Sequence, residues 1–326
     1  MKSWESEAVL VTGGCGFLGS YLSEELVKAG AEVTVLDNLE TGTLDNIAHV
    51  REQVKFIRKD MLSLEVCLKA SADVKTVMNL VGKTEGIGYS RGHQGEMLYH
   101  NAVTHMNMLE ASCRNEVKRY LLVSSSCVYP DDAPIPTPEL PVITGSPEIA
   151  NRGYGWAKRI AELQADYYQD EYEMNIAICR PFNPYGGRYI WRGEAYSHVL
   201  PSLVKNIMDG QNPLVVWGSG QQRRNFLHAL DTVKLMMILA KDGPYGIPVN
   251  IGYEDEVTIE ELVKLICKTA KKNPTVTFDT TKPEGRFRKC ADATLLREVT
   301  NSYKPEVSLE DGIVEMIDWY KRTFRK

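Results

Sequence analysis

The sequence predicts an α/β fold with a doubly wound parallel sheet and a second, smaller α/β domain, and three observations support this prediction. In the first 180 residues, short β-branched apolar runs alternate with helix-period stretches, a pattern typical of parallel βαβ units. The apolar runs are nearly continuous, as expected for strands that helices cover on both faces. After about residue 180, Pro, Gly and aromatic residues become frequent and the alternation stops.

The elements can be placed in order along the chain. Strands are predicted at 8–12, 32–36, 55–58, 76–80, 119–124 and 175–180, and helices near 17–29, 63–70, 97–115 and 154–173. A helix-like run covers 198–209, an apolar helix lies within 222–242, and a compact αβ segment follows from about 257. We therefore assign 1–180 to the first domain, with 222–245 packing back on it, and 181–221 and 246–326 to the second.

The composition is that of a globular protein and excludes several function classes. With 43% hydrophobic and 25% charged residues, the 326-residue chain can bury a substantial core. A net charge of −5 and dispersed Lys and Arg give no field that attracts nucleic acid. The N-terminus lacks a signal-peptide pattern and no apolar run reaches the ~18 residues that span a bilayer, so we expect a cytoplasmic protein that binds no membrane. The seven cysteines lack zinc spacing, which predicts reduced thiols and no metal site.

A glycine-rich segment follows the first predicted strand and opens the first predicted helix: Gly13-Gly14-Cys15-Gly16-Phe17-Leu18-Gly19. Glycines allow a tight turn in which backbone N–H groups approach a pyrophosphate, and the helix N-terminus adds a favourable dipole. An ordinary strand-to-helix turn is the alternative. The context favours a Rossmann-type dinucleotide site with Gly13, Gly16, Phe17, Leu18 and Gly19 as contacts.

Asp37 lies about 20 residues further on, at the end of the second predicted strand. A carboxylate there can accept hydrogen bonds from both ribose hydroxyls and repels a 2′-phosphate. Alone, Asp37 would be a common turn residue; with the glycine loop it predicts NAD as the cofactor. Asp60, after the third strand, is a candidate for the adenine edge or an ordinary strand-end carboxylate. Further candidate cofactor contacts are Asn38, Met61, Leu80 and Pro181.

Tyr154 and Lys158 are four residues apart at the start of a predicted helix and therefore share one face. A neighbouring cation stabilises phenolate, so such a tyrosine can exchange a proton with a sugar hydroxyl during hydride transfer. Exposed helices also carry Tyr-x-x-x-Lys pairs by chance. Upstream, Ser125 belongs to a Ser-rich segment at the carboxyl end of the fifth strand, where open α/β sheets bind ligands.

Together, the glycine loop, the Ser-rich strand end and the Tyr-x-x-x-Lys pair resemble the extended short-chain dehydrogenase/reductase family over nearly the whole chain. The resemblance implies that Tyr154 is the general acid/base and that Lys158 holds the nicotinamide ribose and lowers the phenol pKa. It also implies that Ser125 completes the catalytic triad. Asn101 falls where such enzymes often carry a structural Asn, and we include it among the cofactor candidates.

Four segments are similar to two nucleotide-sugar branches of that family, the GDP-L-fucose synthases and the GDP-mannose 3,5-epimerases. In the first branch the matching Cys and His invert carbons beside a 4-keto group, which implies this role for Cys127 and His198. The chemistry is reasonable because protons at C3 and C5 become acidic once C4 is a ketone. A small buried thiol and a helix-capping histidine are the alternatives. The segments are 125–130, 197–201, 216–220 with 224–228, and 282–285 with 288–289.

The same resemblance implies substrate contacts in the second domain. Asn183 matches a diphosphate-contacting Asn, and Arg224, Lys282 and Arg288 match cationic ligands, since a forked guanidinium suits phosphate oxygens. A solvated surface cation is the alternative, above all for Arg288. His198 and Trp217, which lie in the matching segments, complete the candidate substrate contacts.

Two features depart from these relatives, and a third argues against dehydration. GDP-L-fucose synthases consume NADPH, whereas Asp37 argues against a 2′-phosphate. The 3,5-epimerases use a lysine where this chain has Arg192, and an arginine stays charged and donates protons poorly. No carboxylate lies beside Ser125 to drive elimination, so dehydration is not expected.

We therefore expect an NAD-dependent epimerase of nucleotide-diphosphate sugars, with a GDP-hexose as the favoured substrate, that oxidises C4, epimerises C3, C5 or both, and reduces C4 again. One alternative is an epimerase-reductase that consumes one NAD(P)H per product. Others are a C4 epimerase, in which Cys127 and His198 are dispensable, and a non-catalytic nucleotide-sugar-binding protein. The resemblance also implies a homodimer through the helix of Tyr154, although the apolar residues of 97–115 and 156–168 suit an intrachain core equally well.

Overall fold

The computed structural model describes residues 3–84, 86–189, 191, 198–282 and 285–324. Its strands are β1 (Ala8–Thr12), β2 (Glu32–Asp37), β3 (Lys55–Arg58), β4 (Thr76–Asn79), β5 (Arg119–Val123), β6 (Ile176–Pro181), β7 (Pro184–Tyr185), β8 (Leu214–Trp217), β9 (Arg223–Asn225), β10 (Leu227–His228), β11 (Pro248–Ile251), β12 (Glu256–Thr258), β13 (Val276–Asp279) and β14 (Arg288–Lys289).

The helices are α1 (Phe17–Lys28), α2 (Leu64–Ser71), α3 (Ile87–Gly92), α4 (Gln94–Arg114), α5 (Arg152–Tyr172), α6 (Val199–Met208), α7 (Ala229–Asp242), α8 (Ile259–Ala270), α9 (Thr294–Val299) and α10 (Leu309–Phe324). Short 3₁₀ segments cover Leu44–Gln53, Ser126–Val128 and Ile149–Asn151. Along the described part of the chain, no helix combines the length and apolarity needed to cross a membrane.

The main sheet has seven parallel strands in the order β11-β6-β5-β4-β1-β2-β3. The chain moves outward from β1 to β3, returns to β4 beside β1, and then moves outward in the opposite direction. Thr12 at the end of β1 is in register with Asn79 at the end of β4. This reversal leaves a crevice at the carboxyl ends of the strands, where ligands bind in open α/β sheets.

Helices cover both faces of the sheet because successive strand residues point to opposite sides. Val9 and Val11 of β1 belong to a core shared with α1 and α7. Leu10, between them, belongs to a second core shared with α2, α4 and α5. All three side chains are fully buried. The doubly wound parallel sheet predicted from the sequence is confirmed.

A third core lies beyond the sheet and is built from α6, α8 and α10. The buried face of α6 carries Leu203, Val204 and Ile207 at helical spacing. α8 begins with a capping box in which Thr258 and Glu261 each satisfy the other's backbone N–H group. The short strands β8 and β13 form a parallel pair beside this core.

The structure differs from the sequence-based division in the region after 245. Residues 246–326 were assigned to the second domain, but β11 pairs in parallel with β6 at the edge of the main sheet. Leu296 of α9 packs in the same core as Val249 and Ile251 of that strand. A four-residue strand after a helix has no alternation long enough to be recognised. β11 and α9 therefore lie with the main sheet and not with the third core. The division of the chain into two domains stays a prediction.

A buried ion pair joins α5 to β6, the strand next to the edge strand β11 of the main sheet. The side chains of Arg180 and Glu162 are 0% and 2% exposed, and the Arg180 Nε and Nη2 atoms donate to the two Glu162 carboxylate oxygens at 3.0 and 2.5 Å. Ser124 also donates to Glu162, and Arg180 donates to the Tyr129 hydroxyl at 2.9 Å. The pair thus links the strand ends and the helix that carry the predicted catalytic residues.

Candidate active site

A cleft of about 500 Å³ opens at the carboxyl ends of the central strands and brings together most of the residues predicted from the sequence. The catalytic candidates that line it are Ser125, Cys127, Tyr154, Lys158 and His198. The cofactor candidates that line it are Gly13, Gly16, Phe17, Leu18, Gly19, Asp37, Asn38, Asp60, Met61, Leu80 and Pro181, and the other substrate candidates are Asn183 and Arg224.

The glycine loop brings the backbone close to one end of this cleft. Gly13 has a φ of +66°, and a Cβ on Gly19 would lie 2.0 Å from the Gly13 carbonyl oxygen. α1 begins at Phe17, and the N–H groups of a first helical turn have no partner within the helix. A backbone cradle at a helix N-terminus fits the pyrophosphate of a dinucleotide.

Asp37 is held in place at the neighbouring strand end. Its carboxylate accepts hydrogen bonds from the backbone N–H groups of Cys15 at 2.9 Å and Leu39 at 2.8 Å. Burial raises the pKa of Asp37, and these two donors oppose that effect. Each carboxylate oxygen has a second lone pair, so Asp37 can still accept from ribose hydroxyls. Asn38 beside it donates to Asp60 at 2.9 Å, which fixes the next part of the cleft wall.

Asn101 is not among the residues that line the cleft. It is fully buried on α4, where its side-chain oxygen accepts from the Lys83 N–H at 2.8 Å and its amide donates to the Met97 carbonyl at 2.7 Å. Gly82, Lys83 and Thr84 of the loop after β4 do line the cleft. Asn101 therefore holds that loop in place, as a structural Asn would, and its predicted cofactor contact is replaced by this indirect role.

Tyr154 and Lys158 lie one turn apart near the start of α5. The Lys158 Nζ donates to the Val123 carbonyl at 2.7 Å, contacts the His105 Nε2 at 2.6 Å and lies 5.5 Å from the centre of the Tyr154 ring. The Ser125 hydroxyl is near enough to the Tyr154 phenol to lower its pKa. The three side chains thus form one connected group at the carboxyl end of β5.

Burial dominates the electrostatics of this group. It raises the pKa of Tyr154 well above its ordinary value, with a smaller opposing effect from the Ser125 hydroxyl. Lys158 is not among the groups that lower the phenol pKa in this arrangement, in contrast to the expectation from the sequence. Burial also lowers the pKa of Lys158 to about 7 and that of His105 well below its ordinary value. Lys158 can consequently gain or lose a proton near neutral pH.

We expect Lys158 to make the protein more stable as the pH rises from about 7 to about 10. The pKa of Lys158 is about 7 in the folded chain against an ordinary value of 10.5. Between these two pKa values the unfolded chain therefore binds a proton on Lys158 that the folded chain does not bind. Raising the pH removes this stabilisation of the unfolded chain, so the folded chain becomes relatively more stable. Below about pH 7 Lys158 is protonated in both the folded and the unfolded chain, so its destabilising effect on the fold no longer changes with pH.

Urea unfolding of the wild type and Lys158→Met at about pH 7 and about pH 9 measures this effect. The wild type should gain stability relative to the variant at the higher pH. Lys69→Met, at an exposed position on α2, is the matched control and should follow the wild type. If the wild type and Lys158→Met depend on pH in the same way, the prediction is wrong.

Cys127 lies in the 3₁₀ turn after β5 and is part of a charged cluster that the sequence did not predict. The Lys289 Nζ donates to the Cys127 Sγ at 3.5 Å and to the Glu148 carboxylate at 2.9 Å. Burial raises the pKa of Cys127, an effect that the Lys289 cation opposes. The Cys127 side chain is therefore a thiol at neutral pH, beside an ammonium that can stabilise its thiolate.

His198 lines the same cleft as the residue that precedes α6. Its backbone N–H donates to the Tyr189 hydroxyl at 3.3 Å, which holds the start of α6 against the cleft wall. Desolvation by the cleft walls, with a further contribution from the Lys289 cation, lowers the pKa of His198, although the residue as a whole is exposed. The imidazole is therefore neutral at neutral pH and able to accept a proton.

The predicted substrate contacts divide into two groups. Asn183, with a φ of +41°, and Arg224 line the cleft, and the Arg224 guanidinium is held by the Arg223 and Arg286 carbonyls at 2.7 and 2.6 Å. Trp217, Lys282 and Arg288 are not among the described residues that line it.

Those three side chains have other neighbours. Trp217 is 40% exposed on β8, with the Lys282 Nζ 5.9 Å from its ring centre. Arg288, whose side chain is 41% exposed, forms an ion pair with Glu256 on β12, the strand beyond β9 in the same small sheet. Arg192, the residue that replaces a lysine of the 3,5-epimerases, lies outside the described residues.

Sequence reasoning missed Lys289, Glu148, Arg286 and His105. Lys289 directly follows Arg288 in a segment that was recognised, but strand neighbours point to opposite sides, and nothing in the sequence distinguishes which of the two enters the cleft. Glu148 contacts Lys289 over a sequence separation of 141 residues, and His105 contacts Lys158 over 53 residues. Arg286 lines the cleft beside Lys289. The only local signal for Lys289 was that a short strand carries two basic residues in succession, Arg288 and Lys289.

Comparisons with known proteins agree with this geometry. Residues 9–252 match the NAD dependent epimerase/dehydratase family. GDP-L-fucose synthase 1 of Arabidopsis thaliana is 32% identical over 270 residues, which cover 78% of this chain and 82% of the relative. GDP-mannose 3,5-epimerase 1 of Oryza sativa subsp. indica is 27% identical over 328 residues, 99% of this chain and 84% of the relative. The solved structure of an epimerase from Methanothermobacter thermautotrophicus has a TM-score of 0.88 at 26% identity, with 99% of this chain and 94% of that chain covered.

Proposed function

The chain belongs to the NAD dependent epimerase/dehydratase family, and on this premise we propose that it is a nucleotide-sugar epimerase with a GDP-hexose as substrate. It oxidises C4 transiently, epimerises C3, C5 or both, and reduces C4 again. The observation that carries the proposal is that Cys127 and His198 line the same cleft as Tyr154, Lys158 and Ser125.

At C4, the protein's task is to move the hydroxyl proton. When bound, a nicotinamide would supply reversible hydride acceptance at C4. Tyr154 takes up and returns the hydroxyl proton, and the Ser125 hydroxyl, which lies near the phenol, stabilises the developing alkoxide. Lys158, whose pKa is about 7, holds the ribose and exchanges protons near neutral pH.

At C3 and C5, inversion requires two groups that act on opposite faces of the sugar ring. Once C4 is a ketone, one group removes a proton and the other delivers a proton to the opposite face. His198 is neutral at neutral pH and Cys127 is a thiol, so the pair offers one base and one acid in the resting protein. These opposite protonation states support the proposal of epimerisation at carbons beside C4.

Support for the nucleotide and the cofactor comes from the two ends of the cleft. Both relatives named above act, by their names, on GDP-linked sugars. Arg224 and Arg286 supply cations and Asn183 an amide where a diphosphate would lie. At the other end, the fixed Asp37 carboxylate favours the unphosphorylated ribose of NAD over NADP.

The similarity to GDP-L-fucose synthase favours a second candidate, an epimerase-reductase that acts on a preformed GDP-4-keto sugar. That enzyme would use the same Cys127 and His198 chemistry. It would differ in consuming one NAD(P)H per product, whereas the self-contained cycle regenerates its cofactor in every turnover.

The test is incubation of the purified protein with GDP-mannose in D₂O without added cofactor. Mass spectrometry and NMR follow deuterium uptake and sugar identity. We expect uptake at C3 or C5 in the wild type and its loss in Cys127→Ser and His198→Asn. Nucleotide released by denaturing the same preparation identifies the bound cofactor, which we expect to be NAD.

The other outcomes separate the alternatives. Inversion at C4 without deuterium uptake at C3 or C5, unchanged in both variants, would indicate a C4 epimerase. Turnover that needs a 4-keto sugar and added NAD(P)H would indicate the epimerase-reductase. Absence of both exchange and conversion with bound NAD present would contradict a GDP-hexose substrate, and UDP-glucose is the next sugar nucleotide to test under identical conditions.

We also propose that the protein is a homodimer built on α4 and α5. These helices pack side by side and expose apolar side chains, including Tyr99 at 64%, Met106 at 44% and Tyr167 at 62%. Exposed apolar residues gathered on neighbouring helices mark an interaction surface. Light scattering should give twice the chain mass for the wild type and the monomer mass for the double variant Met106→Glu with Tyr167→Glu. Ile247→Glu, at an exposed apolar position outside these helices, should stay dimeric.

A further inference from the structure

Three residues that are distant in sequence form a triangle at the floor of the cleft. Cys127 follows β5, Glu148 precedes the 3₁₀ segment that leads into α5, and Lys289 lies on β14. Lys289 donates to the Cys127 Sγ at 3.5 Å and to Glu148 at 2.9 Å. The Glu148 carboxylate is near enough to the Cys127 thiol that each affects the pKa of the other. Lys289 therefore bridges the other two members of the triangle.

The triangle is shielded from water and anchored by the backbone. Glu148 and Lys289 are 6% and 8% exposed, although charged residues are almost never this buried unless paired. The Glu148 N–H donates to the Tyr129 carbonyl at 2.9 Å, which fixes Glu148 to the chain segment that carries Cys127. A Cβ on Gly155 would lie 2.6 Å from the Cys127 carbonyl, so α5 packs tightly under the turn. The three groups cannot easily separate.

We propose that Glu148 and Lys289 are positioning residues that set the protonation state of Cys127: Glu148 exchanges a proton with the thiol, and Lys289 pairs with the thiolate that results. The S–H bond breaks, an O–H bond forms on Glu148, and the negative charge moves from the carboxylate to the sulfur. The net charge of the triangle is zero before and after the transfer. The thiolate therefore forms without adding a buried charge, which would otherwise be costly.

This inference rests on the proposed acid/base role of Cys127 and explains how one thiol can serve both as acid and as base. Burial opposes the charged form of Glu148, but Lys289 offsets this and holds the pKa of Glu148 below its ordinary value, so the resting triangle contains a thiol, a carboxylate and an ammonium. In that state Cys127 donates a proton. After transfer to Glu148 it accepts one. Tyr154 and Lys158 on α5 are the other titratable groups whose charge acts on Cys127, and His198 and Arg224 face Lys289.

The test measures the titration of Cys127 directly, in the full-length protein and without substrate. The rate of iodoacetamide labelling of the peptide that contains Cys127 is followed against pH by mass spectrometry, because only the thiolate reacts. Lys289→Met should slow labelling at neutral pH about tenfold, and Glu148→Gln should accelerate it about tenfold, since each corresponds to roughly one unit of thiol pKa. Lys289→Arg, which keeps the charge, should restore most of the wild-type rate.

Two controls keep the result interpretable. Lys272→Met, at an exposed position, should leave the labelling profile of Cys127 unchanged, and Cys113 on α4 serves as an internal reference in every variant. Thermal unfolding identifies variants that do not fold. If Lys289→Met is one of them, the labelling rates of Glu148→Gln and Lys289→Arg decide the test. Shifts in the same direction for Lys289→Met and Glu148→Gln, or no shift in either, would overturn the proposal. Opposite shifts without any deuterium exchange would support the triangle and count against the proposed epimerase function alone.

Discussion

Tyr154→Phe should abolish the conversion of GDP-mannose while leaving the epimerisation chemistry intact. The phenol is the group that exchanges a proton with the C4 hydroxyl, and general acid–base groups contribute about 10² to 10⁴ in rate. Phenylalanine keeps the ring that packs beside Lys158 but has no proton to exchange. Without oxidation at C4 the protons at C3 and C5 are not acidic, so deuterium uptake from GDP-mannose should fall by the same factor.

Supplying the ketone separates the two halves of the reaction. With a GDP-4-keto-6-deoxyhexose as substrate, Tyr154→Phe should exchange deuterium at C3 or C5 at close to the wild-type rate, because Cys127 and His198 are unchanged. Cys127→Ser should fail with both substrates. The assignment of Tyr154 is wrong if Tyr154→Phe retains conversion of GDP-mannose within about tenfold of the wild type.

Glu162→Ala should destabilise the fold by about 3–5 kcal/mol, because breaking a buried ion pair leaves an uncompensated charge. Arg180, which is fully buried, would lose the partner of its Nε and Nη2 groups, and Ser124 would lose its acceptor. Urea unfolding of the purified variant measures the loss.

Glu65→Ala is the matched control for this prediction. Glu65 also lies on a helix and pairs with a basic residue, Lys69, but both side chains are largely exposed, so no measurable change is expected. A second variant, Glu162→Leu with Arg180→Met, removes both charges together and should recover much of the stability. If Glu162→Ala is as stable as Glu65→Ala, the prediction is wrong, because Arg180 must then pair with another group or be solvated in the variant.

The predicted site residues that the structure brings together in the cleft are recognised from local sequence. The glycine loop, Asp37 and the Tyr154–Lys158 pair each combine residues that are adjacent to a strand end or a helical turn apart. Local geometry therefore fixes their relative positions. The parallel sheet followed from the same local alternation, since short apolar runs separated by helices lead to parallel strands.

The residues that were missed are defined by contacts across the fold. Lys289 and Glu148 meet Cys127 only because β14 and the segment before α5 fold against the same strand end. Resemblance to relatives selected Arg288, whose side chain pairs with Glu256 instead. Likewise, Trp217 and Lys282 contact each other outside the cleft. A one-residue difference in strand register is invisible in a single sequence, but it decides which side chain enters the site.

The position of β11 at the edge of the main sheet has a consequence for synthesis on the ribosome. The strand next to it, β6, ends at residue 181, whereas β11 begins at 248, so a long stretch of nascent chain emerges before the sheet is complete. During that interval β6 presents an unpaired edge and an apolar face, which are the features that promote aggregation. Fragments that stop near residue 180 should therefore accumulate as insoluble material. We expect soluble expression of the first domain alone only when residues 223–251 are included.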